Sequence, residues 1–373
     1  MKRYLLRYIV LALLLGVCVW MVEDEDRDFS EQENRNLAQF PEFSSETVFS
    51  GEFMSEFETY LADQFPVRDW CIKIKTAALR LSGQKLIGDY YLAEDNYLIQ
   101  KDSECDWERV DEMLDLVNRF SDEYENVNVS FMLIPTAMSI YENKLPYTVE
   151  STQLDTMEQI ASKLDDNVNY VDVYDAIYSA RAIEMYYKTD HHWTSRAALV
   201  AFGEYADSLG IEYSDIDYEF YVVTNDFQGT CASGSGIYET SDTIEICVPK
   251  DSAGTYVVNY VEDMRKTASL FESDKLEIKD KYQVFMGGNH SQVDVTTNAG
   301  TGRNLLLVKD SYGNCMVPIL TKYFDKIIVI DPRYFSGDIY EVMMTYRINE
   351  VLFMYNVNSF VTDNSLDVML ARE

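Results

Sequence analysis

Two of the three histidines in the chain stand side by side in Thr189-Asp190-His191-His192-Trp193-Thr194. A carboxylate next to an imidazole fixes its tautomer and stabilises its protonated form, as a general base requires. Far downstream, Leu305-Leu306-Leu307-Val308-Lys309-Asp310-Ser311 runs from a buried-strand pattern to a hydroxyl. Acid, imidazole and hydroxyl together are the parts of nucleophilic acyl transfer. Ser311, His192 and Asp190 are therefore the candidate nucleophile, base and orienting acid. His192 is preferred to His191 because Met185 to Asp190 reads as extended, and side chains two apart in an extended chain share a face. Two competing readings stand beside this one. A histidine can simply pack against the helix that starts at Thr194, aided by Trp193, and Ser311 can be no more than a helix cap. Asp190, His191, His192 and His290 can also be read as metal ligands, although adjacent histidine side chains diverge. Neither a metal nor a cofactor is assigned.

Weaker candidates surround the serine. Gly287-Gly288-Asn289-His290 allows close backbone approach at Gly288 and an amide donor for an oxyanion at Asn289; a plain turn explains the same residues. Tyr312 opens the helix expected after the serine, where free N–H groups and the positive end of a dipole would face developing charge. Arg333, in Asp331-Pro332-Arg333-Tyr334, either positions substrate or pairs with Asp331.

The elements that must position these groups alternate. Helical spacing of apolar residues covers Gly51 to about Leu81, broken by Pro66, and residues 90–99 read as a hairpin. Helices are expected over 106–124, 153–164, 195–209 and 312–323, and strands over 127–134, 168–173, 304–309 and 326–331. Such alternation predicts an α/β sandwich with a mainly parallel sheet, in which ligands bind at the carboxyl ends of strands. The glycine-rich, strand-rich stretch at about 217–300 is expected as an insertion, and the acidic residues 23–50 as an irregular tether. Residues 51–373 then form one α/β domain.

Acidic residues number 64 against 31 basic ones, a formal charge of −33. Such a surface repels phosphate backbones and argues against nucleic acid as a partner. Hydrophobic residues make up 47% of the chain, which excludes disorder. Lys2, Arg3 and Arg7 precede an uncharged run from Tyr8 to Val22. Residues 1–22 are accordingly expected as a single-pass membrane anchor with the rest of the chain extracytoplasmic, a cleaved signal sequence being the alternative. Cys231 and Cys247 flank a strand–turn–strand region and are close enough in pattern to pair; no spacing of cysteines and histidines suits structural zinc.

Taken together, Asp190-His191-His192-Trp193, Lys309-Asp310-Ser311-Tyr312-Gly313-Asn314 and Asp331-Pro332-Arg333-Tyr334-Phe335 resemble the DHHW protein family. Glu33-Asn34-Arg35-Asn36-Leu37, Asp63-Gln64-Phe65-Pro66-Val67-Arg68, the stretch from Phe131 to Pro146 and, more loosely, Lys279-Asp280-Lys281-Tyr282 add to the likeness, which spans roughly residues 30–335. That family is similar to the alginate O-acetyltransferase proteins, so the resemblance implies an SGNH-hydrolase-like fold. It also implies a serine O-acyltransferase that acetylates an extracytoplasmic polysaccharide through an acyl-Ser311 intermediate, with a membrane-bound O-acyltransferase supplying acyl groups. Asp190, His192 and Ser311 match the family's acid, base and nucleophile, while His191 inherits no role. A carbohydrate esterase with the same triad, or a non-catalytic glycan-binding or assembly protein, are the alternatives.

Overall fold

The computed structural model describes residues 7, 8, 11, 12, 15, 16, 19–21, 23–146, 149–250 and 256–371. The chain divides into two compact units, Met1–Gly88 with Ala232–Tyr238, and Asp89–Cys231 with Glu239–Glu373.

The larger unit is built on an eight-stranded sheet in the order Arg265–Thr267, Tyr256–Tyr260, Gln292–Thr297, Lys326–Ile330, Asn304–Lys309, Glu350–Asn356, Asn128–Ile134, Val168–Tyr170. The last five are parallel to one another and the first three antiparallel. Alternating burial decides the layering. Leu305, Leu307, Met132, Ile134, Leu352 and Met354 enter one apolar core; Leu306, Val308, Phe131, Leu133, Val351 and Phe353 enter a second. Successive strand side chains point to opposite faces, so these uninterrupted apolar runs belong to strands covered on both sides. Helix Ser195–Ser208 covers the first face with Ala197, Ala201, Phe202 and Tyr205. Helices Trp107–Glu123 and Ile339–Tyr346 cover the second with Val110, Leu114, Val117, Phe120, Ile339 and Met343. The fold is thus the expected mixed α/β sandwich with a mostly parallel sheet.

Three expectations about this unit are corrected. The stretch at 217–300 is not an appendage: Gln292–Thr297 pairs with Lys326–Ile330, Val293 opposite Val329, and continues the central sheet outward. Only Tyr218–Phe227 and Asp242–Pro249 form a separate hairpin. The helix expected over 312–323 is a 3-10 turn, Ser311–Cys315, and a four-residue helix, Val317–Leu320, with Pro318 in its first turn. No disulfide joins Cys231 and Cys247.

In the smaller unit, helices Glu52–Asp63 and Arg68–Leu81 flank the break at Pro66, where Val67 adopts φ 58°. Residues 23–50 are more ordered than a tether. Phe29–Ser30 pairs with Arg35–Asn36, and Ser45–Ser50 is a helix capped by Ser44. Arg35 grips the buried Asp63 through Nη1 and Nη2 at 2.8 and 2.6 Å, and Arg68 pairs with Glu33. The Glu33–Leu37 and Asp63–Arg68 motifs are thereby one ion-pair cluster, which acidic composition alone conceals.

No helix among the described residues is long and apolar enough to cross a membrane, which overturns the single-pass anchor expected over residues 1–22. As helix, the uncharged run from Tyr8 to Val22 rises only about 22 Å, against roughly 30 Å of hydrocarbon. Residues 1–6, 9, 10, 13, 14, 17, 18 and 22 of that segment lie outside the described residues.

Leu307 is fully buried on the central strand that leads to Ser311. Leu307→Ala is expected to lower the unfolding free energy by about 2–5 kcal/mol, seen as a lower denaturant midpoint in equilibrium unfolding.

Candidate active site

Ser311 lies just past the carboxyl end of the central strand Asn304–Lys309, and a buried aspartate shapes its turn. Asp310 is the cap: its Oδ1 accepts from the Tyr312 N–H at 2.9 Å. Its Oδ2 accepts from the N–H and Nδ2 of Asn356, at 2.9 and 2.6 Å, where the neighbouring parallel strand ends. Burial pushes the Asp310 carboxyl up, against the N–H donors of Asn356 and Tyr312. Asp310, not Ser311, therefore caps the turn, which leaves the serine hydroxyl uncommitted to its own backbone.

The acid–histidine segment is held differently from the extended chain that the sequence suggests. Tyr186 and Trp193 form an isolated antiparallel bridge, so residues 187–192 make a closed loop. Buried Asp242 draws that loop inward by accepting the N–H groups of Lys188 and Thr189, both at 2.7 Å, and the Thr189 hydroxyl at 2.5 Å. Within the loop, Asp190 Oδ1 accepts the His192 backbone N–H at 2.9 Å and its Nδ1 at 2.5 Å. This Asx turn, rather than the two-residue period of a strand, brings Asp190 and His192 together. Nor does His191 point the opposite way: its ring lies 3.9 Å from that of His192, centroid to centroid.

The two segments meet at His192 Nε2, which lies 2.7 Å from Ser311 Oγ. With Nδ1 donating to Asp190, Nε2 carries the lone pair and is free to take the serine proton. Asp190, His192 and Ser311 form one hydrogen-bonded line. Trp193 Nε1 donates to the Tyr312 carbonyl at 2.9 Å, and the Tyr312 hydroxyl donates to the His191 carbonyl at 2.5 Å. Those reciprocal bonds staple the loop to the serine turn. Burial opposes ionisation of Asp190, but the imidazoles of His192 and His191 beside it and the hydrogen bonds from His192 and Thr230 outweigh burial and hold the carboxyl well below its usual range.

Several contributors escaped the sequence reading. Thr230 donates its N–H and its hydroxyl to Asp190 Oδ2, at 2.8 and 3.0 Å. Gly229 passes so close that a Cβ there would stand 2.1 Å from Asp190 Oδ2. Tyr282 stacks on His192 at 3.8 Å and 11° between planes. Of these, only Tyr282 belongs to one of the motifs above; a glycine ahead of the six-residue helix Thr230–Ser235 carries no periodicity.

The weaker candidates separate. Asn289 turns its Oδ1 to Lys309 Nζ and Asn314 Nδ2, at 3.2 and 3.1 Å, which leaves its NH2 uncommitted among the described residues. The Gly288 carbonyl accepts from Asn314 Nδ2 at 3.4 Å, and Gly287 and Gly288 adopt φ 78° and 108°. Tyr312 commits its N–H and hydroxyl to the bonds already described, so it braces the turn instead of presenting donors. Arg333 folds back on buried Asp331 through Nε and Nη2, at 2.8 and 2.6 Å. His290 Nε2 binds the Met286 carbonyl at 2.8 Å. Asp190, His191 and His192 place ligand atoms within 4.8 Å of one another. Both ring nitrogens of His192 are nevertheless engaged by Asp190 and Ser311, and His191 Nδ1 by Thr230.

Gly229→Ala is expected to displace Asp190 and to slow covalent labelling of Ser311 by a sulfonyl fluoride at least tenfold, measured by intact-protein mass. A pH effect follows from His191, which burial and the neighbouring His192 push down to about 4. Between pH 6.5 and 4 the unfolded chain binds a proton that the folded one does not, so stability falls as pH drops through that window. The slope is up to about 1.4 kcal/mol per pH unit for one such group. His191→Asn is expected to flatten it in denaturation midpoints taken across that range.

No curated protein matches the sequence. Among solved structures, the chain is similar to a DHHW family protein from Eubacterium siraeum DSM 15702, with 26% identity and a TM-score of 0.64 over 75% of this chain and 94% of that one. It also shares its fold with Bacillus cereus PatB1, solved with a sulfonyl adduct, at 20% identity and a TM-score of 0.64 over 74% of this chain and 97% of that one. The O-acetyltransferase domain of Pseudomonas putida AlgJ aligns at 12% identity and a TM-score of 0.47, over 74% and 93% of the two chains. A family model for DHHW protein matches residues 73–330, the stretch that holds the loop, the serine turn and most of the sheet, and the chain belongs to that family.

Proposed function

We propose that the protein is a serine O-acyltransferase that moves an acetyl group onto a hydroxyl of a polysaccharide. The observation that carries this reading is the line Asp190–His192–Ser311, with bonds of 2.5 and 2.7 Å, at the carboxyl end of the central strand. Ser311 Oγ attacks the acyl carbonyl while His192 Nε2 takes its proton; the donor's leaving oxygen departs with that proton, and an acyl-Ser311 ester remains. A sugar hydroxyl then gives its proton to His192 and attacks the ester. The new ester bond forms as the bond to Ser311 Oγ breaks, and Oγ recovers the proton.

Oxyanion stabilisation is assigned to the Ser311 N–H and the Asn289 NH2. The Tyr312 and Gly313 N–H groups are already held by the carboxylate and the carbonyl of Asp310. Lys309 and Asn314 hold the Oδ1 end of the Asn289 amide, so its NH2 end is the one that can donate. Polysaccharide as acceptor, and a membrane-bound O-acyltransferase as acyl supplier, come from the family resemblance. The charge of −33 favours a neutral or zwitterionic glycan over a polyanionic one.

With p-nitrophenyl acetate as donor, Ser311→Ala is expected to lower p-nitrophenol release at least 1,000-fold with an unchanged circular dichroism spectrum; retained activity would exclude the mechanism. Adding an oligosaccharide should divert acetyl from water to sugar, read by mass spectrometry. Acetate release indifferent to sugar would make the protein an esterase.

A further inference from the structure

His191, to which the family pattern gives no role, is built into the site as carefully as His192. Its Nδ1 lies 2.5 Å from Thr230 Oγ1, and that hydroxyl donates to Asp190 Oδ2 at 3.0 Å. A threonine hydroxyl has one proton, and an ionised carboxylate can only accept. Thr230 must therefore spend its proton on Asp190, and the bond to His191 is donated by the ring. His191 is consequently the Nδ1–H tautomer with a bare Nε2, the same form as His192, and both tautomers are set by one carboxylate.

The two rings are also oriented alike. Their Nδ1 atoms lie 3.9 and 2.5 Å from Asp190 Oδ1, the centroids are 3.9 Å apart, and the planes differ by 36°. Both Nε2 atoms thus lie on the side away from Asp190. That of His192 meets Ser311 Oγ. That of His191 has no partner among the described residues and is not sealed from solvent, the side chain being 29% exposed. Burial and His192 disfavour a proton on the ring and outweigh the pull of Asp190, which keeps Nε2 an acceptor at neutral pH. An acceptor atom held beside the base, with nothing in the protein to accept from, suits a hydroxyl.

We propose that His191 is an acceptor-binding residue: one hydroxyl of a vicinal diol attacks the acyl-Ser311 ester with His192 as base, while the neighbouring hydroxyl donates a hydrogen bond to His191 Nε2. This rests on the acyltransferase reading and adds to it the chemical class of the acceptor, a sugar with adjacent free hydroxyls. No group is consumed at His191, since the second hydroxyl keeps its proton throughout.

The test uses the full chain, p-nitrophenyl acetate as donor, and two small acceptors, ethylene glycol and 2-methoxyethanol, which differ by the methyl that blocks the second hydroxyl. Acylation is read as p-nitrophenol release and transfer as acetylated alcohol. The wild type should prefer ethylene glycol at least tenfold, chiefly through a lower acceptor KM. His191→Asn keeps a donor for Thr230 but lacks the Nε2 acceptor; it should bring the two alcohols to within about twofold of each other, a ratio taken on the same acyl-enzyme and so independent of the rate of acylation. His191→Gln, which offers an amide oxygen near the Nε2 position, should restore part of it. An undiminished preference for ethylene glycol in His191→Asn would overturn the role of His191 and leave the triad reading standing. Acetate as the sole product of the wild type would overturn transferase and acceptor site together, and absence of any acyl-enzyme would remove the triad as well.

Discussion

Everything at the site hangs on keeping one buried carboxylate ionised. Asp190 is 2% exposed, and an unpaired charge there would be costly enough to neutralise itself. Its two oxygens instead receive four donors: the N–H and Nδ1 of His192 on one, the N–H and hydroxyl of Thr230 on the other. Charge-assisted bonds of this kind are among the strongest available to a protein. The same bonds specify the tautomer of His192 and, through Thr230, that of His191. Removing the negative charge would leave both rings free to flip.

That requirement explains the stretch between residues 217 and 300. Thr230 and Gly229 approach Asp190 so closely that no side chain can be tolerated at the glycine. Asp242, at the start of the returning strand of the Tyr218–Phe227 and Asp242–Pro249 hairpin, pulls the acid–histidine loop down from the other side. Tyr282 then stacks on the face of His192. The strand-rich segment is therefore part of what orients His192.

A comparable economy governs the serine turn. In many open α/β sheets the first N–H groups after a strand are available to an anionic ligand. Here Asp310 takes the Tyr312 N–H to fix the turn, and Asn356 in turn anchors Asp310. The bonds of Trp193 and Tyr312 across to the partner segment then set the separation of imidazole and hydroxyl. Rigid support of this sort holds reacting groups near their productive geometry before any ligand arrives. It also explains why tryptophan and tyrosine accompany His192 and Ser311 in the two motifs: Trp193 reaches the Tyr312 carbonyl, and Tyr312 the His191 carbonyl.

Composition and periodicity alone determined the sandwich. Apolar runs such as Leu305–Val308 can be covered only from both sides, and the amphipathic stripe of Trp107–Glu123 supplies one of the covers. Residue chemistry named Asp190, His192 and Ser311, because histidine is scarce in this chain and serine follows a buried strand. What the linear pattern could not contain was the loop closure by Asp242, the donors from Thr230, the clearance at Gly229 and the anchoring of Asp310 by Asn356. Each pairs residues far apart in the chain and depends on a distance that only folding creates. The roles of Tyr312 and Asn289 turned on the same point, for an N–H or an amide is a free donor only if no neighbour has claimed it, and neighbours across a sheet are a property of the tertiary structure.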